Sequence, residues 1–222
     1  ANNTYSGITS VTGGVLQVDS LANGLIASNI GNSSNIATNL VLDGGTLRYV
    51  GTAQSTDRLF SVGTGGATIE SSGSGALNLT NSGALGFNSQ SGARSLALTG
   101  GNTGLNTLAA LIGDGGGGTS LVKNGLGTWV LSNTANSYTG STTINGGILS
   151  VSSIANGSAA SAIGASTALA SNLVLNSATL RYTGAAVSSD RLFTVSGGSG
   201  KIESAGAGAL NLTNTGTIAG SG

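Results

Sequence analysis

Displaced by 133 positions, the chain falls on itself without a gap. Tyr5 meets Tyr138, Gly13-Gly14 meet Gly146-Gly147, Arg48 meets Arg181, Asp57 meets Asp190, Phe60 meets Phe193 and Glu70 meets Glu203. The match holds from residue 3 to about residue 83 with about half of the paired positions identical, and Gly75–Asn81 returns unchanged at Gly208–Asn214. A repeat of this length constrains the fold more than any local pattern does. Each unit has to build the same local structure and hand its apolar face to the next, which is the logic of a stacked array. Residues 1–133 therefore read as one unit and residues 134–222 as a second, partial unit, together one continuous solenoid. Since both ends fall inside units, the chain reads as a window on a longer array.

A finer rhythm runs inside each unit. Short apolar or alternating stretches, Val15–Val18, Leu40–Leu42, 46–50, 58–62, 67–70, 76–80, 95–99 and 128–132, are separated by Gly, Ser, Asn and Thr. Stretches of this kind, with period-two alternation between turn residues, predict short β-strands. The apolar residues Leu42, Phe60, Leu79 and Leu98 are almost evenly spaced along the chain. Their interval falls at the short end of the about 18–24 residues expected for one coil of a parallel β-solenoid, giving about eleven coils for the whole chain. At about 4.8 Å per coil the rod would be roughly 50 Å long. An antiparallel sandwich also uses many short strands, but it does not predict a constant register through a long gapless repeat.

Composition agrees with thin, stacked layers. Aromatic residues make up 4% of the chain and hydrophobic residues 38%, so burial has to come from many Val, Ile, Leu and Ala contacts. There is no proline, which could not donate the hydrogen bond that every coil needs. Gly supplies left-handed corners and inward aliphatics form ladders, with Asn expected to stack on Asn along the axis. Seven basic and seven acidic residues cancel, which leaves no electrostatic reason to bind nucleic acid. No apolar run approaches the roughly 18 residues of a membrane span, so no membrane insertion by this stretch is expected.

The residues 121–151, "LVKNGLGTWVLSNTANSYTGSTTINGGILSV", resemble the autotransporter-associated β-strand repeat of passenger domains. Its positions fall on Lys123, Gly125, Gly127, Thr128, Leu131, Ser132, Asn136, Tyr138, Gly140, Thr142, Gly147 and Leu149, and its second half stands again at residues 3–18. Trp129 departs from the smaller apolar residue usual at its place. The resemblance implies an all-β, right-handed parallel β-helix on the extracellular or outer-membrane surface of a Gram-negative-type bacterium. It implies a stalk or fibre of a large secreted or surface-attached protein, used for adhesion or filament assembly, without catalytic residues or cofactors. Partners are then neighbouring repeats, like chains end to end, and a surface receptor or glycan.

The repeated charges are weighed against that picture. Arg48 and Glu70 lie about one coil apart along the chain, as do Arg181 and Glu203, so each pair is expected one above the other as an ion pair on the rod's flank. Asp57 and Asp190 are expected to cap the turns before their strands, with Arg58 and Arg191 laid over Tyr49 or Tyr182. The rival is a glycan-active β-helix enzyme of the polysaccharide-lyase kind, using these acids and arginines on sugar. Such enzymes gather several carboxylates for calcium, and here only Asp57 and Glu70 recur as acids in both copies. The chain has no His and no Cys, which removes the commonest general base and any thiolate metal site. Serines beside Lys123 or Lys201 are weak grounds for a Ser–Lys pair. Residues 113–118, "GDGGGG", lack the lysine and following helix of a phosphate loop and read as a corner. Threonines do not recur on one face of every coil, which argues against an ice-binding array. No catalytic residue, metal or cofactor is expected.

Overall fold

The computed structural model describes residues 2–221, so the outermost residues of the two expected units, Ala1 and Gly222, lie outside the described residues. Every named strand pair is parallel. Among the described residues there is no α-helix, only two short 3-10 turns at matching positions, Ala37–Asn39 and Ala170–Asn172. Parallel pairing forbids a tight hairpin between partners, so the chain must travel away and come back between paired strands.

That travel follows a fixed order. A nine-stranded sheet runs from Val15–Val18 to Ala219–Ser221, and a seven-stranded sheet from Gln54–Thr56 to Lys201–Ser204. A third side holds Thr9–Val11, Leu40–Leu42 and Ser61–Val62 at one end and Val187–Ser189 with Leu210–Leu212 at the other. Between them it is carried by backbone bonds of irregular chain, such as Val62 N to Gly86 O (2.9 Å), Leu85 N to Leu111 O (3.0 Å) and Ser137 N to Ile112 O (2.9 Å). Successive strands thus visit the nine-stranded sheet, the seven-stranded sheet and the third side in turn.

The core lies between these sides as ladders of inward residues. In the nine-stranded sheet one ladder climbs through Leu16, Leu47, Ile69, Leu98, Lys123, Ile144, Leu175 and Val195. In the seven-stranded sheet Leu79, Leu108, Leu131, Val151 and Tyr182 stack likewise. Alternation within strands does the sorting. In Ala67–Ser71 and Thr119–Lys123, odd residues are buried and even ones partly exposed, because period two sends neighbouring side chains to opposite faces.

The return interval differs from the expected one. Successive members of the first ladder are unevenly spaced along the chain, closest from Leu175 to Val195 and farthest, by equal intervals, from Leu16 to Leu47 and from Ile144 to Leu175. Nine strands, rather than about eleven, stack in the longest sheet. Leu42, Phe60, Leu79 and Leu98 do not form one ladder either. Leu42 pairs with Val62, Leu79 with Leu108 and Leu98 with Ile69. The reason is geometric: apolar strands on three sides follow one another so closely along the chain that several spacings look periodic. Excursions at residues 19–39 and 152–172 lengthen the true return.

Asparagine also acts differently from the expected ladder. Asn106 and Asn136 are buried and bond mainly backbone. Asn106 accepts from Leu77 N (2.9 Å) and donates to Thr128 O (2.9 Å), tying the strands on either side. Asn145 Nδ2 to Asn124 Oδ1 (2.9 Å) is an Asn-on-Asn step.

Candidate functional site

A dense polar construction in the fold is a clamp on a long loop, and it occurs twice. After Val15–Val18 the chain leaves the nine-stranded sheet, and its next strand is Leu40–Leu42 on the third side. Arg58, one pass later and 4% exposed, reaches into this loop. Its Nε donates to Ala22 O (2.9 Å), Nη1 to Ser33 Oγ (3.0 Å), and Nη2 to Gly31 O (3.0 Å), Ile26 O (3.3 Å) and Asn23 O (3.4 Å). Asp57 completes the grip, accepting from Gly24 N at 2.8 Å and from Asn35 Nδ2 at 2.9 Å. A planar fork with five donors can satisfy carbonyls that point inward from a tight loop, which an ammonium could not do in this geometry.

Residues 133 positions on repeat the arrangement. Arg191 Nε donates to Ala155 O (3.0 Å), Nη1 to Ser166 Oγ (3.0 Å) and Nη2 to Gly164 O (2.9 Å), while Asp190 accepts from Gly157 N (2.7 Å). Leu25 and Ser158 hold the same left-handed backbone, φ 68° and 66°. Most of the clamped residues agree between the copies, with Ala168 standing where the first loop has Asn35, whereas the tips do not: exposed Leu25 and Ile26 in the first loop correspond to exposed Ser158 and Ala159 in the second. Burial lowers the pKa of both arginines, and the neighbouring aspartate pulls the other way in each.

This placement revises the expected roles. Arg58 does not lie over Tyr49, nor Arg191 over Tyr182; both spend their donors on backbone carbonyls and a serine. Asp57 and Asp190 hold a loop 33 residues back in the chain instead of the adjacent turn. Carbonyl oxygens facing inward leave more to gain from a guanidinium than an aromatic face does. The stacked cation lies elsewhere, Arg94 over Phe87 at 4.6 Å. Arg94 is a third buried clamp that sequence reasoning misses, donating to Val62 O (2.7 Å), Gln90 O (2.8 Å) and Gly115 O (2.9 Å). No second copy of that position exists within the chain, so doubling cannot reveal it. An arginine opening the alternating strand Arg94–Thr99 is the only signal.

Arg48 and Glu70 stand directly opposite on paired strands, with Nε to Oε2 at 2.9 Å, and Arg181 and Glu203 do the same at 3.0 Å. Arg181 Nε is aligned as a hydrogen-bond donor, whereas Arg48 Nε is close but unaligned. These side chains are 17–37% exposed, so solvent screens the attraction. Replacing Arg48 by alanine is expected to lower stability by no more than about 1 kcal/mol, read as a small drop in the urea midpoint at unchanged slope. A loss several times larger would mean that the pair carries the sheet.

The stretch 121–151 explains itself through backbone contacts. Lys123 occupies a rung of the aliphatic ladder and is fully buried. Its Nζ turns back to donate to Asn124 O (2.8 Å), Gly125 O (2.9 Å) and Gly146 O (3.0 Å). Burial pushes its pKa down to about 8. Gly125 and Gly147 carry φ of 69° and 60° at the two corners that aim these carbonyls inward, a conformation that L side chains resist. Gly127 N bonds Gly100 O and Gly140 N bonds Thr119 O, both at 3.0 Å, so each ties its corner to the pass below. Tyr138, also fully buried, shares a 2.8 Å hydrogen bond with Thr142 Oγ1, and Trp129 Nε1 donates to Thr99 O at 3.0 Å. Lys123, the motif glycines, Tyr138 and Thr142 thus act as rungs, corners and hydrogen-bond partners inside the fold.

The sequence pattern of the passenger-associated transport repeat matches residues 1–18 and 121–151, the two places where this construction begins or completes. The chain carries passenger-associated transport repeats. Over nearly its whole length it is also similar to a known protein: it is 50% identical over 219 residues to the adhesin BmaC autotransporter of Brucella suis biovar 1. That alignment takes in 97% of this chain and 6% of the relative, so the chain spans a small part of the length of the curated protein it matches. No solved structure matches the chain. Among the described residues no three of His, Cys, Asp and Glu come together as they would around a metal ion.

Proposed function

We propose that the passenger-repeat chain is a stalk segment: a right-handed β-helix whose coils stack into a rod, within a surface-attached or secreted adhesin of a Gram-negative-type bacterium. The observation that carries this reading is the unbroken parallel sheet of nine strands, in which each inner strand bonds one below and one above. Stability then accumulates pass by pass, and length changes by adding units without redesigning a core. Residues 1–133 and 134–222 serve as successive units of that rod. The repeated acids fit this role, since Asp57 has both carboxylate oxygens taken by the loop it holds and Glu70 is paired with Arg48. Partners in this reading are neighbouring repeats, like chains end to end, and a receptor or glycan on the opposing surface. The similarity to a protein named as an autotransporter adhesin supports adhesion as the purpose of the reach.

Appending a second copy of residues 90–222 after Gly222 continues the repeat in phase. Small-angle scattering of the longer chain should show the maximum dimension growing by about 26 Å, a little over five passes at about 4.8 Å each, with an unchanged cross-section. A thicker particle of the same length would overturn the stalk.

A further inference from the structure

Strands that correspond in sequence do not lie in the same sheet. Gly45–Tyr49 belongs to the nine-stranded sheet, but its counterpart Thr179–Tyr182 belongs to the seven-stranded one. Gln54–Thr56 lies in the seven-stranded sheet, and its counterpart Val187–Ser189 on the third side. Ser61–Val62 lies on the third side, and its counterpart Thr194–Ser196 in the nine-stranded sheet. Three independent pairs advance by one side in the same direction, which excludes a local slip of one strand.

Counting passes gives the size of the step. From Leu16 the chain returns to the nine-stranded sheet at Leu47, Ile69, Leu98, Lys123 and Ile144, and then reaches Leu149, the counterpart of Leu16, on the next side. One repeat interval is therefore five turns and one side. We infer that each repeat unit rotates by a third of a turn while it advances, so that equivalent loops of successive units face three directions around the rod and realign only at the fourth unit.

The surface that this screw distributes is the clamped loop. Its frame is constant, because Arg58 and Arg191 hold the same backbone atoms, while its tip differs from Leu25-Ile26 to Ser158-Ala159. The first loop follows the strand Val15–Val18 of the nine-stranded sheet and the second follows Ile148–Val151 of the seven-stranded sheet, one side further round. An extended partner such as the flat outside of a cell touches one side of a rod. It would meet every third loop, at intervals of about 77 Å, three units of about 26 Å. Partners of molecular size could occupy every loop at once. This consequence rests on the stalk reading, but the rotation itself can be measured separately.

The chain has no cysteine, so pairs of spin labels can be placed at will. Leu25→Cys with Ser158→Cys labels the two tips, and Thr52→Cys with Ala185→Cys labels a second equivalent, exposed pair on the corners. A pass of about 25 residues at about 3.3 Å each, folded into three sides, has a radius of roughly 14 Å. A third of a turn plus about 26 Å of advance then puts each labelled pair about 35 Å apart or more. Pulsed electron resonance should return that distance for both pairs. Distances of about 26 Å for both, the advance alone, with the rod intact by scattering, would mean that the loops stack on one side and would overturn the rotation while sparing the stalk. One pair near about 26 Å with the other well above it would overturn it as well, since a screw carries every point off its axis farther than the advance alone.

Discussion

Replacing Arg58 by methionine is expected to lower the unfolding free energy by about 3–5 kcal/mol, what losing two or three hydrogen bonds to a charged group amounts to. The side chain is 4% exposed, and its guanidinium bonds a loop that packs no α-helix and little sheet of its own. Methionine fills the space but takes away the Ser33 hydroxyl's partner and leaves Ala22 O and Gly31 O only their remaining donors, Thr56 Oγ1 and Ser28, and each lost hydrogen bond to a charged group costs about 1.5–3 kcal/mol. Lysine should recover only part of the loss, since one ammonium cannot span the fork. The urea midpoint reads the total. Amide exchange at residues 22–33 locates it, because an array opens locally before it opens as a whole. A change below about 1 kcal/mol, without faster exchange in the loop, would show that the clamp contributes no more than a surface contact does. Arg191→Met should have the same effect on residues 155–166, where the same atoms are held.

The second large effect depends on pH. Lys123 has a folded-state pKa of about 8 against an ordinary 10.5, lowered by burial. Below about pH 8 both folded and unfolded chains carry the proton. Between about 8 and 10.5 the unfolded chain binds more protons than the folded one, so stability rises with pH across that window. A depression of this size corresponds to about 3 kcal/mol once the upper limit is passed. Lys123→Met removes the titration and keeps the apolar rung between Leu98 and Ile144. The stability difference between wild type and variant should therefore move by about 3 kcal/mol in favour of the wild type from about pH 8 to about pH 10.5. Urea titrations at several pH values measure it, and the tyrosines and the remaining lysine cancel in the difference. Parallel pH curves would mean that the three carbonyl oxygens hold the ammonium charged throughout.

Both predictions concern residues whose type is visible in the sequence and whose use is not. Arg58 stands out because Arg191 repeats it, yet an aromatic ring looks its better seat, since loop carbonyls 27 to 36 residues away leave no trace in composition. Lys123 stands out through the repeat motif, where it looks only like a poor catalytic lysine. Its place on a ladder of leucines follows from the register that pairs it with Leu98 and Ile144. Spacing does bring Arg48 and Glu70 together correctly, because their separation happens to equal one return of the chain. The same argument fails for Leu42, Phe60, Leu79 and Leu98, whose even spacing counts strands on different sides.

Period-two alternation, absent proline and a long gapless repeat were enough to establish parallel stacked strands, because those features act on neighbouring backbone and need no knowledge of distant contacts. The length of each turn, and with it the third-of-a-turn rotation between units, was decided only in three dimensions, where loops of unequal size must close onto the same ladders.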